Sequence, residues 1–296
     1  MKQKVGFIGL GTMGKPMAFN IQKADYPLGV YNRSPDKMAP FQEQGITTYE
    51  SARDLARESE AVIIMVTDPE ALLAVLQGEQ GVLAGLKQGT AVINMSTVSA
   101  EATLAAARLV TEGGGKYIDA PVSGTKKPAE DGTLVILAGG RQEEVEAVKP
   151  LLLSMGKAVV HCGEIGMGTH MKLTINLLLG DMMQCLAETL VFGAKLGLSS
   201  EKIFETINAG PLAAPFYNIK GQAIRTNEFS KKFSIDLIHK DLTLILEAAG
   251  KAGVMLPATA AAREVASGAR GMGLGDEDMA AIVKVLEKTA GVEIRD

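Results

Sequence analysis

Three glycines near the N-terminus have the spacing with which a backbone turn can bind phosphate. They lie in Gly9-Leu10-Gly11-Thr12-Met13-Gly14, directly after the apolar run Val5–Gly9 and before a helical pattern over Met17–Ala24. Glycine allows a tight turn and a close approach to a pyrophosphate, and the first turn of the helix offers unpaired N–H groups. The alternative is a glycine-rich turn at a helix start. The strand before it and the helix after it favour a dinucleotide-binding loop made of Gly9, Leu10, Gly11, Thr12, Met13 and Gly14.

The residues after the second predicted strand bear on the choice between NAD and NADP. An Asp or Glu at this point would bind the ribose 2′-hydroxyl of NAD, but the chain has Tyr31-Asn32-Arg33-Ser34. Arg33 can pair with a 2′-phosphate and Ser34 can donate a hydrogen bond to it. Ser34-Pro35 is also typical of a helix N-cap followed by proline, and both roles can hold together. The pattern predicts NADP (NADPH) as the cofactor, with Asn32, Arg33 and Ser34 at its adenosine end.

A second segment that could bind a ligand is Asp119-Ala120-Pro121-Val122-Ser123-Gly124-Thr125, which follows the predicted strand Lys116–Asp119. In a parallel sheet such a segment lies at the carboxyl edge, where ligands bind. Ser123, with the backbone N–H groups of Gly124 and Thr125, could hold a substrate carboxylate. Ser123 is not a hydrolase nucleophile, because GxSxG would need glycine where Pro121 stands. The alternative is a turn that closes a strand.

A lysine on an apolar helix is the candidate acid or base. Gly166-Met167-Gly168 opens the long apolar segment Thr169–Leu196, in which Lys172 and Asn176 share one helix face. Burying an ammonium is costly and lowers its pKa, which would make Lys172 a general acid or base. The alternative is a lysine that extends its amine to solvent. Lys240-Asp241, on a later helical segment, is by itself an ordinary charged pair.

The pattern of elements changes near Gly163. Short apolar strands alternate with helices before it, which indicates a doubly wound α/β sheet of the Rossmann type, and only helices follow it. We therefore predict a dinucleotide-binding domain over 1–163 and an all-α domain over 164–296, joined by a long interdomain helix. The predicted strands are Val5–Gly9, Gly29–Tyr31, Ala61–Val66, Ala91–Met95, Lys116–Asp119, Leu134–Ala138 and Ala158–Val160. The predicted later helices are Thr169–Leu196, Ser200–Ala209, Asp236–Ala252, Pro257–Ser267 and Asp276–Ala290.

Composition argues against several classes of protein. The 296 residues are 47% hydrophobic, which argues against disorder, and the net charge of −4 with 4% aromatic residues argues against a nucleic-acid partner. Cys162 and Cys185 form no zinc-ligand pattern, so no metal is expected. We expect no signal peptide, because the chain enters a strand too early for one, and we expect that no apolar run is long enough to span a bilayer. We expect a cytoplasmic protein with no membrane partner.

Four motifs in order resemble the β-hydroxyacid dehydrogenase family, which includes 3-hydroxyisobutyrate dehydrogenase. They are the N-terminal glycine motif, Asp119–Gly124, Gly166–Lys172 and Lys240-Asp241. Within the family, Ser123–Gly132, Asn32-Arg33-Ser34 and Met171-Lys172-Leu173 with Asn176 are most similar to the glyoxylate/succinic semialdehyde reductases. The resemblance implies NADPH as cofactor and Lys172 as the catalytic acid. It implies a substrate pocket of Ser123, Gly124, Thr125, Asn176, Phe233 and Asp241, and further cofactor contacts from Val66, Thr67, Thr97 and Lys240.

The resemblance predicts NADPH-dependent reduction of a small oxo-acid aldehyde, such as succinic semialdehyde to 4-hydroxybutyrate or glyoxylate to glycolate. Two departures concern the substrate: many family members have a second glycine at Thr125, and many have asparagine at Ile175. Oxidation of a 3-hydroxy acid of the 3-hydroxyisobutyrate type, imine reduction and a noncatalytic NADP-binding role are the alternatives. A noncatalytic relative would be expected to lack Lys172. The apolar long helix, its methionines and the relatives also predict a homodimer or homotetramer formed through the helical domain, with packing inside one protomer as the alternative for the methionines.

Overall fold

The computed structural model describes residues 2–294, and the chain divides into two compact units, residues 1–172 and 173–296. The first unit is built on one mixed sheet. Its strands are β1 (Val5–Ile8), β2 (Leu28–Tyr31), β3 (Thr47–Thr48), β4 (Ala61–Ile64), β5 (Ala91–Asn94), β6 (Lys116–Asp119), β7 (Val122–Ser123), β8 (Leu134–Gly139) and β9 (Gly156–Gly163).

The sheet has the strand order β3-β2-β1-β4-β5-β6-β8-β7, with β9 paired to β8. Strands β1 to β6 run parallel, and every residue of β1, β4 and β5 is buried, as expected where helices cover both faces. The predicted α/β class is confirmed. The sheet differs from a fully parallel one at one end: β8 runs antiparallel to β6 and β7, because the chain reverses its direction in the segment 124–133 between β7 and β8.

Helices pack on both faces of this sheet. Met17 and Phe41 belong to the cluster on one face, and Leu55, Leu72 and Ala106 belong to the cluster on the other. The helices are α1 (Gly14–Lys23), α2 (Ala39–Gln42), α3 (Ala52–Glu58), α4 (Pro69–Leu76), α5 (Val82–Gly85), α6 (Ala100–Glu112), α7 (Lys126–Glu130) and α8 (Gln142–Leu152), with a 3-10 helix at Pro35–Met38.

The long predicted helix is α9 (Met167–Lys195). Its first turns belong to the first unit, so the units divide inside the helix, whereas the predicted ranges divide at 163. By length and composition α9 could cross a membrane, so the expectation that no run is long enough is wrong. Lys172 and Asn176 are buried near its start, and 44% of its most apolar window is buried. Helices in protein cores can have the same length and composition. Leu178 and Phe192 are exposed, so α9 is not buried on all sides.

The second unit consists of helices around one apolar cluster that includes Met183, Leu190, Ile238 and Leu242. The helices after α9 are α10 (Ser200–Ala209), α11 (Pro215–Arg225), α12 (Ile235–Ala252), α13 (Pro257–Gly271) and α14 (Val283–Ala290), with a 3-10 helix at Met279–Ile282. No prediction covered α11, whose pattern is interrupted by Gly221. That glycine is needed because a Cβ there would lie 2.0 Å from the Phe204 ring.

The last predicted helix begins too early. Asp276–Asp278 are not helical, because their backbone and side chains bind the segment before α12: Ile235 N–H donates to Glu277 O (3.0 Å), and Ser234 and Asp278 form an isolated antiparallel bridge. The carboxylate of Asp278 then caps the 3-10 helix by accepting Ala280 N–H at 3.1 Å.

Candidate functional site

The predicted cofactor residues of the first unit all follow parallel strands, so the fold brings them to one edge of the sheet. The glycine loop follows β1, Asn32-Arg33-Ser34 follows β2, Val66-Thr67 follows β4 and Thr97 follows β5. Because parallel strands end on the same side, their following loops meet at the carboxyl edge. Sequence alone could place each of them after a strand, and the strand order makes them neighbours.

Glycine is favoured at each of the three positions of the loop for a different geometric reason. Gly9 has φ of +97°, and a Cβ there would lie 2.1 Å from Met65 O. A Cβ at Gly14 would lie 1.9 Å from Gly9 O, so the third glycine lets α1 pack against the loop. Around Gly11, in the described part of the chain, a Cβ would meet nothing within 4 Å. The open side of Gly11 at the start of α1 is where a pyrophosphate can approach the backbone, so the loop fits a dinucleotide.

Asn32 links this loop to the end of β2. Its Oδ1 accepts the Leu10 N–H at 2.8 Å, and its Nδ2 donates to Ser34 O at 3.0 Å. Arg33 and Ser34 are exposed. Pro35 begins the 3-10 helix as the cap pattern predicts, but within residues 2–294 the Ser34 hydroxyl makes no cap hydrogen bond. Both side chains are therefore available to an anionic group beside the loop.

A groove of about 1080 Å³ continues from the glycine loop along the outer side of α1. Gly11 and Thr12 line its start. Four lysines and two carboxylates line its walls, which gives a positive balance: Lys15, Lys23, Lys37 and Lys126 against Asp36 and Glu130. Lysines around a cleft raise the local concentration of anions. The groove thus has the charge that a phosphate-bearing ligand of the adjacent loop requires.

The remaining cofactor candidates of this unit lie after β4 and β5. Val66 N–H donates to Ser96 Oγ at 2.9 Å, and Thr67 Oγ1 donates to Asp68 Oδ2 at 2.7 Å. Thr97 is half-buried. Ser96 was not predicted, although a serine directly after a buried strand could have indicated a residue that fixes the loop. It joins the ends of β4 and β5, which holds Val66 and Thr97 in place.

Ser123 ends β7, which pairs with β8, so its position is set by the sheet. Gly124 follows with φ of +137°, and Thr125 precedes α7. The next two residues form ion pairs: Lys126 with Glu130 (3.6 Å) within α7, and Lys127 with Asp131 (2.5 Å), the residue that follows α7. These exposed pairs are typical of a solvated helix face.

The carboxylate of Asp119 fixes the start of α9. Its Oδ1 accepts Gly166 N–H at 2.8 Å and its Oδ2 accepts Thr169 N–H at 2.7 Å, while Thr169 Oγ1 lies 2.9 Å from Thr103 Oγ1. Asp119 is fully buried. Burial raises the pKa of this carboxyl, and the two backbone N–H donors oppose that shift. The sequence predicted Asp119 only as part of a motif. Its role as a helix cap became visible only in the structure, because its partners lie 47 and 50 residues later.

The glycines of Gly166-Met167-Gly168 allow α9 to start against the sheet. Gly166 has φ of +94°, and a Cβ at Gly168 would lie 2.3 Å from Leu137 O on β8. Lys172 follows Thr169 by three residues and is 8% exposed, which favours a buried acid or base over an amine extended into solvent. Ser123 and Lys172 thus both belong to the first unit, each fixed by an element at this sheet edge.

The second unit contains the other predicted residues. Asn176 Nδ2 donates to Asp241 Oδ2 at 2.6 Å, and Lys240 Nζ lies 3.0 Å from Asp241 Oδ1. Asn176 and Asp241 are buried. The pair Lys240-Asp241, ordinary by sequence, thus places its carboxylate against α9. Phe233 is half-buried in the segment before α12.

Comparisons with known families cover nearly the whole chain. Residues 4–163 match the model of the NAD binding domain of 6-phosphogluconate dehydrogenase. Residues 166–286 match the NAD-binding domain model of NADP-dependent 3-hydroxyisobutyrate dehydrogenase.

Individual proteins are similar over their full length. The chain is 40% identical to 2-(hydroxymethyl)glutarate dehydrogenase of Eubacterium barkeri, over 98% of this chain and 97% of that protein. It is 36% identical to glyoxylate/succinic semialdehyde reductase 1 of Arabidopsis thaliana, over 96% and 98%. The solved structure of Mycobacterium tuberculosis 3-hydroxyisobutyrate dehydrogenase with L-serine matches with a TM-score of 0.89 and 27% identity, over 97% and 99%.

Proposed function

The chain belongs to the 3-hydroxyisobutyrate dehydrogenase-like family of NAD(P)-dependent hydroxyacid dehydrogenases, and we propose that it reduces a short oxo-acid aldehyde with NADPH. The observation that carries the proposal is the buried Lys172 on a helix whose start Asp119 fixes. Succinic semialdehyde and glyoxylate are the substrates that the similarity to the plant reductase supports.

The glycine loop and Arg33 would hold the cofactor, which would supply a hydride for the aldehyde carbon when bound. Lys172 donates a proton from Nζ to the carbonyl oxygen as negative charge develops there, and it regains a proton from solvent after the alcohol leaves. Ser123 and the N–H groups after it hold the substrate carboxylate, which orients the aldehyde. Asn176 shares its helix face with Lys172, and the hydrogen bond that its Nδ2 donates to Asp241 Oδ2 fixes the amide.

The test is NADPH oxidation, followed by absorbance, with a panel of small aldehydes. We expect turnover of succinic semialdehyde or glyoxylate, and slow turnover with NADH. The panel should also contain methylmalonate semialdehyde and tartronate semialdehyde. Turnover of neither succinic semialdehyde nor glyoxylate, by a protein that binds NADPH, contradicts the proposed substrate class.

A second candidate substrate class is a 3-hydroxy acid with a second carboxylate. The 40% identity to 2-(hydroxymethyl)glutarate dehydrogenase favours it, and the same lysine chemistry would run in the direction of oxidation. The discriminating arm of the panel is 2-(hydroxymethyl)glutarate with NADP or NAD. Rapid formation of the reduced cofactor in this arm alone would replace the first proposal with the second.

Replacement of Arg33 tests the cofactor choice. Arg33→Ala removes hydrogen bonds to a charged phosphate, each contributing about 1.5–3 kcal/mol, so the KM for NADPH should rise about 10- to 100-fold. The KM for NADH should stay unchanged, because NADH lacks the 2′-phosphate. Arg57→Ala, at the exposed end of α3, is the matched control. An equal rise in the KM for NADPH and the KM for NADH would show that Arg33 does not bind the 2′-phosphate.

We also propose that the exposed apolar face of α9 forms a homo-oligomer interface. Leu178 is 54% exposed and Phe192 is 67% exposed, and with Ile175, Cys185 and the half-buried Met182 they are spaced three, four, three and seven residues apart. That spacing lines one side of a helix, and contiguous exposed apolar surface of this kind favours association. A second copy of the chain offers the same face in return.

Light scattering checks the interface. The wild type should give at least twice the protomer mass of 31.1 kDa, and Phe192→Glu with Leu178→Glu should shift it towards one protomer. Leu104→Glu, an equally drastic change at a site 49% exposed in the first unit, should leave the mass unchanged. A wild-type mass of one protomer would contradict the proposal.

A further inference from the structure

The second unit holds an ion pair that none of the motifs includes. Lys220 on α11 places Nζ 2.7 Å from Asp278 Oδ1, and the two side chains are 6% and 3% exposed. Burial lowers the pKa of the Lys220 amine, and the Asp278 carboxylate opposes that shift. Buried ion pairs are a poor source of stability, because apolar residues of similar size often do as well. The pair therefore calls for another role.

Asp278 also binds the segment that carries Phe233. Its Oδ2 accepts the Phe233 N–H at 3.1 Å, while its own N–H donates to Phe229 O at 3.0 Å. Met279 N–H donates to Phe233 O at 2.8 Å. The Asp278 carboxylate thus binds the Lys220 amine through Oδ1 and the Phe233 N–H through Oδ2.

The same segment leads directly into α12. Ser234 caps that helix by accepting Leu237 N–H at 3.4 Å, and Lys240 and Asp241 follow in its second turn. A shift of the segment would therefore move Phe233 first and then the start of the helix that carries Asp241.

We propose that Lys220 and Asp278 are positioning residues for substrate recognition, and that they act through Phe233. The Lys220 amine holds the Asp278 carboxylate in the orientation that lets Oδ2 accept the Phe233 N–H, which fixes Phe233 against the carbon chain of the substrate. Neither residue touches the substrate. The inference rests on the proposed function and on the family resemblance, which implies that Phe233 belongs to the substrate pocket.

The test is the neutral double variant Lys220→Met with Asp278→Asn, which leaves no unpaired charge in the interior. Asparagine offers one oxygen where aspartate offers two, so the Phe233 N–H or the Ala280 N–H loses its acceptor. We expect the KM for the aldehyde to rise at least about tenfold, while kcat and the KM for NADPH change less than about threefold. The matched control is Lys231→Met with Asp276→Asn, an exposed pair at 2.6 Å that joins the segment of Phe233 to that of Asp278, which should change neither constant.

Phe233→Ala in both backgrounds separates positioning from a general loss of structure. If Lys220 and Asp278 act through Phe233, Phe233→Ala raises KM in the wild type and has little further effect in the double variant. Additive effects, or an unchanged KM in the double variant, would overturn the inference. If the double variant does not fold, Asp278→Asn alone is measured in the same way, and an unchanged KM overturns the inference equally. A wild type without turnover, or a Phe233→Ala variant with normal KM, would instead contradict the proposed function.

Discussion

Replacing Lys172 by Met is expected to lower kcat for aldehyde reduction by about 10²- to 10⁴-fold, the usual contribution of a general acid. Methionine has a similar length and no proton to donate, so it keeps the buried volume and removes the chemistry. Lys172 is 8% exposed and follows Thr169, whose N–H the Asp119 carboxylate accepts at 2.7 Å. The part of the helix from which the Lys172 side chain projects is therefore held in place. The measurement is steady-state turnover with saturating NADPH.

The affinity for NADPH should change little in this variant, because the glycine loop and Arg33 lie after other strands. Cofactor fluorescence measures that affinity directly. Lys195→Met on the same helix is the matched control: its amine donates to Ala290 O and its side chain is exposed, so turnover should be normal. Full activity of the Lys172→Met variant would show that another group supplies the proton.

Gly11→Ala and Gly14→Ala are expected to impair the protein in different ways: the first weakens NADPH binding, and the second lowers the stability of the fold. In the described residues a Cβ at Gly11 meets nothing within 4 Å, so Gly11→Ala should fold with the melting temperature of the wild type. A pyrophosphate bound on the open side of the loop would meet that methyl group. We expect an affinity for NADPH weaker by about 10- to 100-fold, equivalent to about 1.4–2.8 kcal/mol.

Gly14→Ala should instead destabilise the protein. The added Cβ would lie 1.9 Å from Gly9 O, a backbone atom that cannot move without opening the loop. Forcing such contacts costs about 1–3 kcal/mol, so thermal unfolding should occur several degrees lower. Normal NADPH affinity in Gly11→Ala would show that the cofactor does not pass over this glycine, and an unchanged melting temperature in Gly14→Ala would show that the loop can relax.

Much of the first unit could be predicted because its signals are local. Buried parallel strands appear as apolar runs, and β1, β4 and β5 lie inside the predicted runs. The glycine loop, Asn32-Arg33-Ser34 and Ser123 each follow such a run, so their position at the sheet edge follows from the strand direction. The boundary between the units was harder to predict, because the hydrogen bonds that Asp119 accepts at the start of α9 come from residues 47 and 50 positions later in the chain.

The second unit was harder to predict because its pattern depends on distant contacts. Gly221 interrupts the periodicity of α11 since Phe204 fills the space beside it. Asp278 lies in what looked like a continuous helix, yet its carboxylate binds Lys220 and Phe233, which are 58 and 45 residues away. The carboxylate of Asp241 likewise acquires its role through Asn176, 65 residues earlier. No local pattern contains these pairings.

The most direct test of the central claim uses NADPH that carries deuterium at both C4 positions. Incubated with succinic semialdehyde and the wild-type protein, it should yield 4-hydroxybutyrate with one deuterium on the alcohol carbon, seen by mass spectrometry. The Lys172→Met variant should form that product far more slowly while still binding the cofactor. An unlabelled product, or no product from either succinic semialdehyde or glyoxylate, would contradict the account.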